Sequence, residues 1–135
     1  LDVRFAFLCD AAEQGPGGKI SALGIGIDNF FVNDLSQPGP SFVFVCQLSG
    51  ASTETGTKKV AIHLIDADGK EVVPAFTAEL TVNKPPAGNR WATSLVVQYT
   101  RIRFPHYGSY SISMVVDGHE LVSLPFTVKP PPAGA

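Results

Sequence analysis

Apolar and polar residues alternate with period two over most of this chain, and a 3.6-residue period is nowhere sustained. Asp2–Asp10 places Val3, Phe5, Phe7 and Cys9 on one face and Arg4, Ala6 and Leu8 on the other. Phe76–Val82 sets Phe76, Ala78, Leu80 and Val82 against Thr77, Glu79 and Thr81. Arg90–Tyr99 aligns Trp91, Thr93, Leu95, Val97 and Tyr99. Further strands are expected over Lys19–Phe31, bent at Gly24 and Gly26, and over Phe42–Ser49, Lys59–Asp66, Ser111–Val116 and Glu120–Val128. A short return strand is expected at Lys70–Val73. Turn and loop signals separate them: a loop over Ala11–Gly18, Pro38-Gly39-Pro40, a loop over Gly50–Thr57, Asp66-Ala67-Asp68-Gly69, a loop over Lys84–Gly88, and Asp117-Gly118. Eight or nine short strands at that spacing predict a sandwich or barrel. Pro125 falls inside the last strand. Proline cannot donate to a ladder, so that strand is expected at an edge or with a bulge.

The run Pro105-His106-Tyr107-Gly108-Ser109-Tyr110 narrows the class. A Tyr two residues after a Gly, opening an alternating strand, is the pattern of a tyrosine corner. Gly108 and Tyr110 therefore predict an all-β, immunoglobulin-like (Greek-key) β-sandwich of about 8–9 antiparallel strands. A single domain is expected over residues 1–129, with a Pro-rich flexible tail over 130–135.

Composition adds limits. A chain of 135 residues buries roughly two-thirds of its unfolded surface, so it needs no staples to fold. Charged residues are only 16% of the chain, below the usual share of about 25%, so polar surface is sparse. The net charge is −2 with no basic cluster, which argues against nucleic acid as a partner. No run approaches the ~20 apolar residues of a membrane-spanning helix. No charged segment followed by an apolar one opens the chain, so no signal peptide and a cytoplasmic location are expected. Because the chain begins at Leu1 rather than Met, a cleaved upstream segment is compatible with it. The lack of an Asn-x-Ser/Thr sequon weighs against a eukaryotic secreted origin. Cys9 and Cys46 lie inside apolar runs and read as free thiols acting as small hydrophobes, not as a disulfide around Trp91.

Candidate chemistry is thin. His63, His106 and His119 have no partner at metal-ligand spacing. Asp66-Ala67-Asp68-Gly69 resembles the opening of a calcium loop but lacks its third acidic position and closing Glu, and reads as a hairpin turn. No Gly-x-Ser-x-Gly elbow is present, no basic neighbour activates either cysteine, and no helix follows Gly24-Ile25-Gly26 to bind phosphate. No catalytic, cofactor or metal residue is assigned. Arg101 and Arg103, in line with Tyr99, read as the solvated face of an edge strand.

The feature above this background is apolar surface on both faces of some strands. A two-layer sandwich leaves each outer face in water, so its strands should alternate. Val3–Cys9 and Phe42–Cys46 do not, and Phe30-Phe31 forces one aromatic outward if both lie in a strand. Gly24 and Gly26 leave a bare patch that an aromatic could cover. Either an arm of the same chain covers these groups, or a subunit interface does. Phe30, Phe31, Gly24, Gly26, Val43 and Val45 are thus the candidate interface, with a homo-oligomer, a two-fold dimer, or another protein as partner.

Val3–Asp10, Gly18-Lys19, Leu23–Asp28, Asp66–Gly69, Gly108-Ser109-Tyr110, Val116-Asp117-Gly118 and Ser123-Leu124-Pro125-Phe126 together resemble a family of short bacterial proteins of unknown function. The resemblance implies the sandwich fold and a bacterial, non-secreted setting, and it transfers no catalytic residue. The resulting expectation is a non-catalytic β-sandwich that acts through protein contacts and self-associates. The alternatives are a secreted or surface-attached module that binds carbohydrate or protein, and an enzyme with its site at a subunit interface. A Cys9–Cys46 disulfide would favour the secreted reading.

Overall fold

A computed structural model describes residues 1–86 and 88–132. Ala87 and residues 133–135, which fall in the expected loop and tail, lie outside the described residues. Ten strands form in chain order: β1 (Asp2–Cys9), β2 (Ala11–Gln14), β3 (Ile20–Leu23), β4 (Asn29–Phe31) and β5 (Phe42–Gly50). They continue as β6 (Gly56–Asp66), β7 (Phe76–Val82), β8 (Trp91–Tyr99), β9 (Gly108–Val116) and β10 (His119–Lys129). A single 3-10 turn spans Pro16–Gly18, and no α-helix occurs among the described residues. The fold is all-β, as the alternation predicts.

Three sheets result. One has the order β1-β5-β8, one β4-β10-β9-β6-β7, and one is the β2-β3 ribbon. The two larger sheets enclose the core. Phe42, Phe44, Cys46 and Leu48 of β5 and Leu95, Val97 and Tyr99 of β8 meet Val60, Ile62 and Leu64 of β6, Ile112 and Met114 of β9, and Phe126 of β10. Each set is every second residue of its strand, so the period-two pattern is the burial pattern.

Several expectations need correction. The described residues form ten strands, and they are not all antiparallel, because β4 runs parallel to the end of β10. Lys19–Phe31 is two strands in different sheets, separated at residues 24–28. Half of the loop expected over Ala11–Gly18 is strand β2. Val3 does not share a face with Phe5, Phe7 and Cys9. A β-bulge at Arg4 shifts the register, pairing Val3 with Leu48 and Phe5 with Gln47. One inserted residue flips every side chain beyond it, and the alternation in sequence reads the same either way. Lys70–Val73 supplies only an isolated bridge, Ile65 to Glu71.

Pro125 keeps to the expected rule by an indirect route. β10 lies inside its sheet, but β4 pairs only with Thr127–Lys129. Thr127 donates its N–H to Asp28 on that side. Pro125, two residues earlier, therefore turns its missing donor to the unpaired part of the same edge. The strand also carries a bulge between Glu120 and Val122.

Candidate interaction surface

The β2-β3 ribbon lies across the outer face of the three-stranded sheet. Ala12, Ile20 and Ala22 pack on Cys9, Val43 and Val45, with Phe7 and Val96 alongside. Val43 and Val45 are therefore buried within one chain and offer no interface. Their cover is the arm of the same chain, which explains why β5 is apolar on both faces. Phe30 is also turned inward. Its ring lies 4.9 Å from Phe42 and 5.4 Å from Phe126, centroid to centroid. Phe31, its neighbour on the opposite side of β4, is 57% exposed. One aromatic of the pair faces out, as the sequence requires.

Gly24 is fixed by backbone geometry. Its φ is +69°, and a Cβ there would come within 2.0 Å of the Asp10 carboxylate. Gly26 has φ +99° with open space around it. Neither forms a bare patch beneath an aromatic. Instead they present the residues beside them: Leu23 is 73% and Ile25 59% exposed. These two side chains were missed. The signal was present in Leu23-Gly24-Ile25-Gly26, where apolar residues alternate with glycines that cannot shield them. Leu23, Ile25 and Phe31 make the segment 23–31 the most apolar exposed stretch of the chain.

The polar clusters are structural. The Tyr110 hydroxyl donates to the His106 carbonyl at 2.6 Å, the bond that defines a tyrosine corner. Asp66 is buried, and its Oδ1 accepts the backbone N–H groups of Asp68 and Lys70, each at 2.9 Å. The Lys70 N–H foremost, with that of Asp68, holds its carboxyl below the usual aspartate range despite burial. His106 Nε2 lies 3.4 Å from the other oxygen. The Asp-x-Asp-Gly run is thus a turn whose carboxylate is already engaged.

On the outer face of the five-stranded sheet, His63 pairs in register with Ser113. His63 Nδ1 lies 2.5 Å from Glu71, while Ser113 donates its hydroxyl to Glu120 at 2.8 Å. A nucleophilic serine would donate to the imidazole. Here its proton goes to a carboxylate and the residue is buried. His119 is exposed on β10. No group of three or more His, Cys, Asp or Glu side chains among the described residues could hold a metal. Arg101 and Arg103 lie outside any strand, and Tyr99 is buried against Phe42, so the three share no stripe. Cys9 and Cys46 are free and belong to the outer and inner packing of the same sheet. Burial pushes the Cys46 thiol up to about 12.

Residues 4–129 match the profile of DUF6941, a family of unknown function. The chain belongs to that family. The DUF6941 match begins within β1, takes in the nine strands after it and stops where β10 ends. No curated protein matches the chain. No helix among the described residues is long and apolar enough to cross a membrane.

Four strands of this DUF6941 chain, β1, β8, β4 and β7, stand at the borders of its two larger sheets. Those edges differ in kind. β1 is broken by the Arg4 bulge, and its far end is capped where the Leu8 carbonyl accepts the N–H groups of Gly26 and Ile27. β4 has three residues. β7 carries Glu79 at its centre. β8 has nine residues, with neither charge nor proline, and pairs on one side only.

Proposed function

We propose that the chain is a non-catalytic, immunoglobulin-like sandwich that works through contacts with protein, its own copies included. Strand order supports the fold reading. Taking β1, β5, β6, β8, β9 and β10 as strands A, B, C, E, F and G puts A, B and E in one sheet and C, F and G in the other. The chain crosses from the three-stranded to the five-stranded sheet between β5 and β6, returns between β7 and β8, and makes the same crossing a second time between β8 and β9. The corner formed by Tyr110 stands at the second crossing, its place in immunoglobulin-like domains. β4 then reads as a second half of the first strand, switched to the other sheet beside β10.

The observation that carries the functional reading is the exposure of Leu23, Ile25 and Phe31 within nine residues. Large apolar side chains held out at the end of the ribbon, in the turn after it and on β4 mark a surface suited to another molecule. The two thiols support a reducing, cytoplasmic setting, because they lie on opposite faces of β5's sheet and cannot pair without refolding.

The test is affinity purification from the native cell with wild type and with the combined Leu23→Ser, Ile25→Ser, Phe31→Ser variant. All three sites are exposed, so the melting temperature should hold. Loss of a specific partner in the variant is expected. Recovery of the same partners by both proteins would contradict the reading.

A further inference from the structure

The β8 edge carries more information than its length, because the direction of each backbone group on it can be derived. Leu8 points its carbonyl away from β5, toward Gly26 at 3.0 Å. Phe7 and Cys9 therefore bond with their partners Val45 and Val43. The even-numbered residues of β5 must then face β8, where they pair with Trp91, Thr93, Leu95, Val97 and Tyr99. The remaining residues, Ala92, Ser94, Val96 and Gln98, turn N–H and C=O to the open side. Among the described residues no backbone group answers them.

We propose that β8 pairs antiparallel with the β8 of a second copy, about a two-fold axis at Leu95, joining two three-stranded sheets into one of six. This deepens the self-association proposed above and rests on it. The register is singled out by symmetry. Centring on Leu95 sets Ala92 opposite Gln98 of the second copy and Ser94 opposite Val96, and it engages every free group of the edge in about eight hydrogen bonds. Shifting the centre along the strand leaves some of them unpaired.

Charge favours β8 over the charged β7 edge for pairing with a second copy. A strand paired with its own copy brings any charge near its twin, and like charges opposite each other destabilise a pair. β8 has none, whereas β7 would set Glu79 near Glu79. Natural sheets protect free edges with charge, proline, bulges or short strands. β1, β4, β7 and β10 each use one of these, and β8 uses none. The outward side chains, Ala92, Ser94, Val96 and Gln98, are uncharged, so none of them repels its twin.

The test is the molar mass of wild type, Ser94→Lys and Ser94→Thr, by size exclusion with light scattering at about a hundred micromolar. Ser94 is half-buried on the outer face, where its hydroxyl accepts from Gln47 Nε2 at 3.2 Å; a lysine there can extend its ammonium to water in the monomer but stands beside its twin across the axis. A dimeric wild type and Ser94→Thr with a monomeric Ser94→Lys, all melting alike, is the expected result. A dimer that persists in Ser94→Lys, or that dissociates only when the fold melts, would overturn the β8 pairing and leave self-association through another surface. A monomeric wild type would overturn both.

Discussion

Tyr110 shows how one side chain can hold a crossing. Its hydroxyl ties the loop before β9 to the strand by bonding His106 four residues upstream, while its ring stacks on Phe126 and meets Phe104 edge to face. Tyr110→Phe keeps the stacking and loses the bond, so stability should fall by about 1–2 kcal/mol. Urea unfolding checks this, and an unmoved midpoint would remove the corner from the list of stabilising contacts. Gly24→Ala should cost about 1–3 kcal/mol through its positive φ alone, with the displaced Asp10 carboxylate adding to it. Leu23→Ser, one residue away but exposed, should stay within about 0.5 kcal/mol. The buried acids set the alkaline limit. Burial raises Cys46 and Tyr99 to about 12 in the folded state. Both are neutral when protonated, so the stability they contribute is complete below the ordinary thiol and phenol values of 9.0 and 10.0 and is lost as pH rises toward about 12. Unfolding midpoints measured from pH 8 to 12 should fall across that interval. A flat profile would contradict the burial of both groups.

At the scale of elements, the β2-β3 ribbon matters most, because it converts the outer face of a sheet into a second, small core. Ile20 is its anchor on Val43 and Val45. Ile20→Ser should lower stability by about 1–2 kcal/mol and raise the binding of an apolar dye. Unchanged dye binding would mean that the ribbon is not needed to shield β5. This element was the least legible in the sequence. Ala11-Ala12-Glu13-Gln14 has little strand propensity and forms a strand because the face beneath it requires cover. The long strands β5, β6, β8 and β9 were legible because their alternation is the burial pattern itself. The Arg4 bulge was not, since alternation survives a one-residue slip. Of the candidate surface, the sequence pointed through Gly24, Gly26 and Phe31 to the segment that exposes Leu23 and Ile25. It could not say that Phe30 would turn inward or that Val43 and Val45 would be covered, because both depend on which element lies opposite. The open edge of β8 depends on sheet order, although its lack of charge was visible from the start.

At the scale of the whole molecule, the account joins a closed interior to one unprotected border. The core is closed between the two large sheets, the outer face of the smaller sheet is covered by the ribbon, and four strands at or beside an edge carry devices against pairing. β8 does not, and its open backbone groups belong to four known residues. Amide hydrogen exchange followed residue by residue reads those groups directly. In a monomer the amides of Ala92, Ser94, Val96 and Gln98 point to water and should exchange quickly, while Leu95 and Val97, bonded to β5, should be slow. If β8 pairs with its twin, all six should be slow at about a hundred micromolar, and the first four should become fast in Ser94→Lys. Fast exchange at Ala92, Ser94, Val96 and Gln98 in the wild type at that concentration would contradict the pairing.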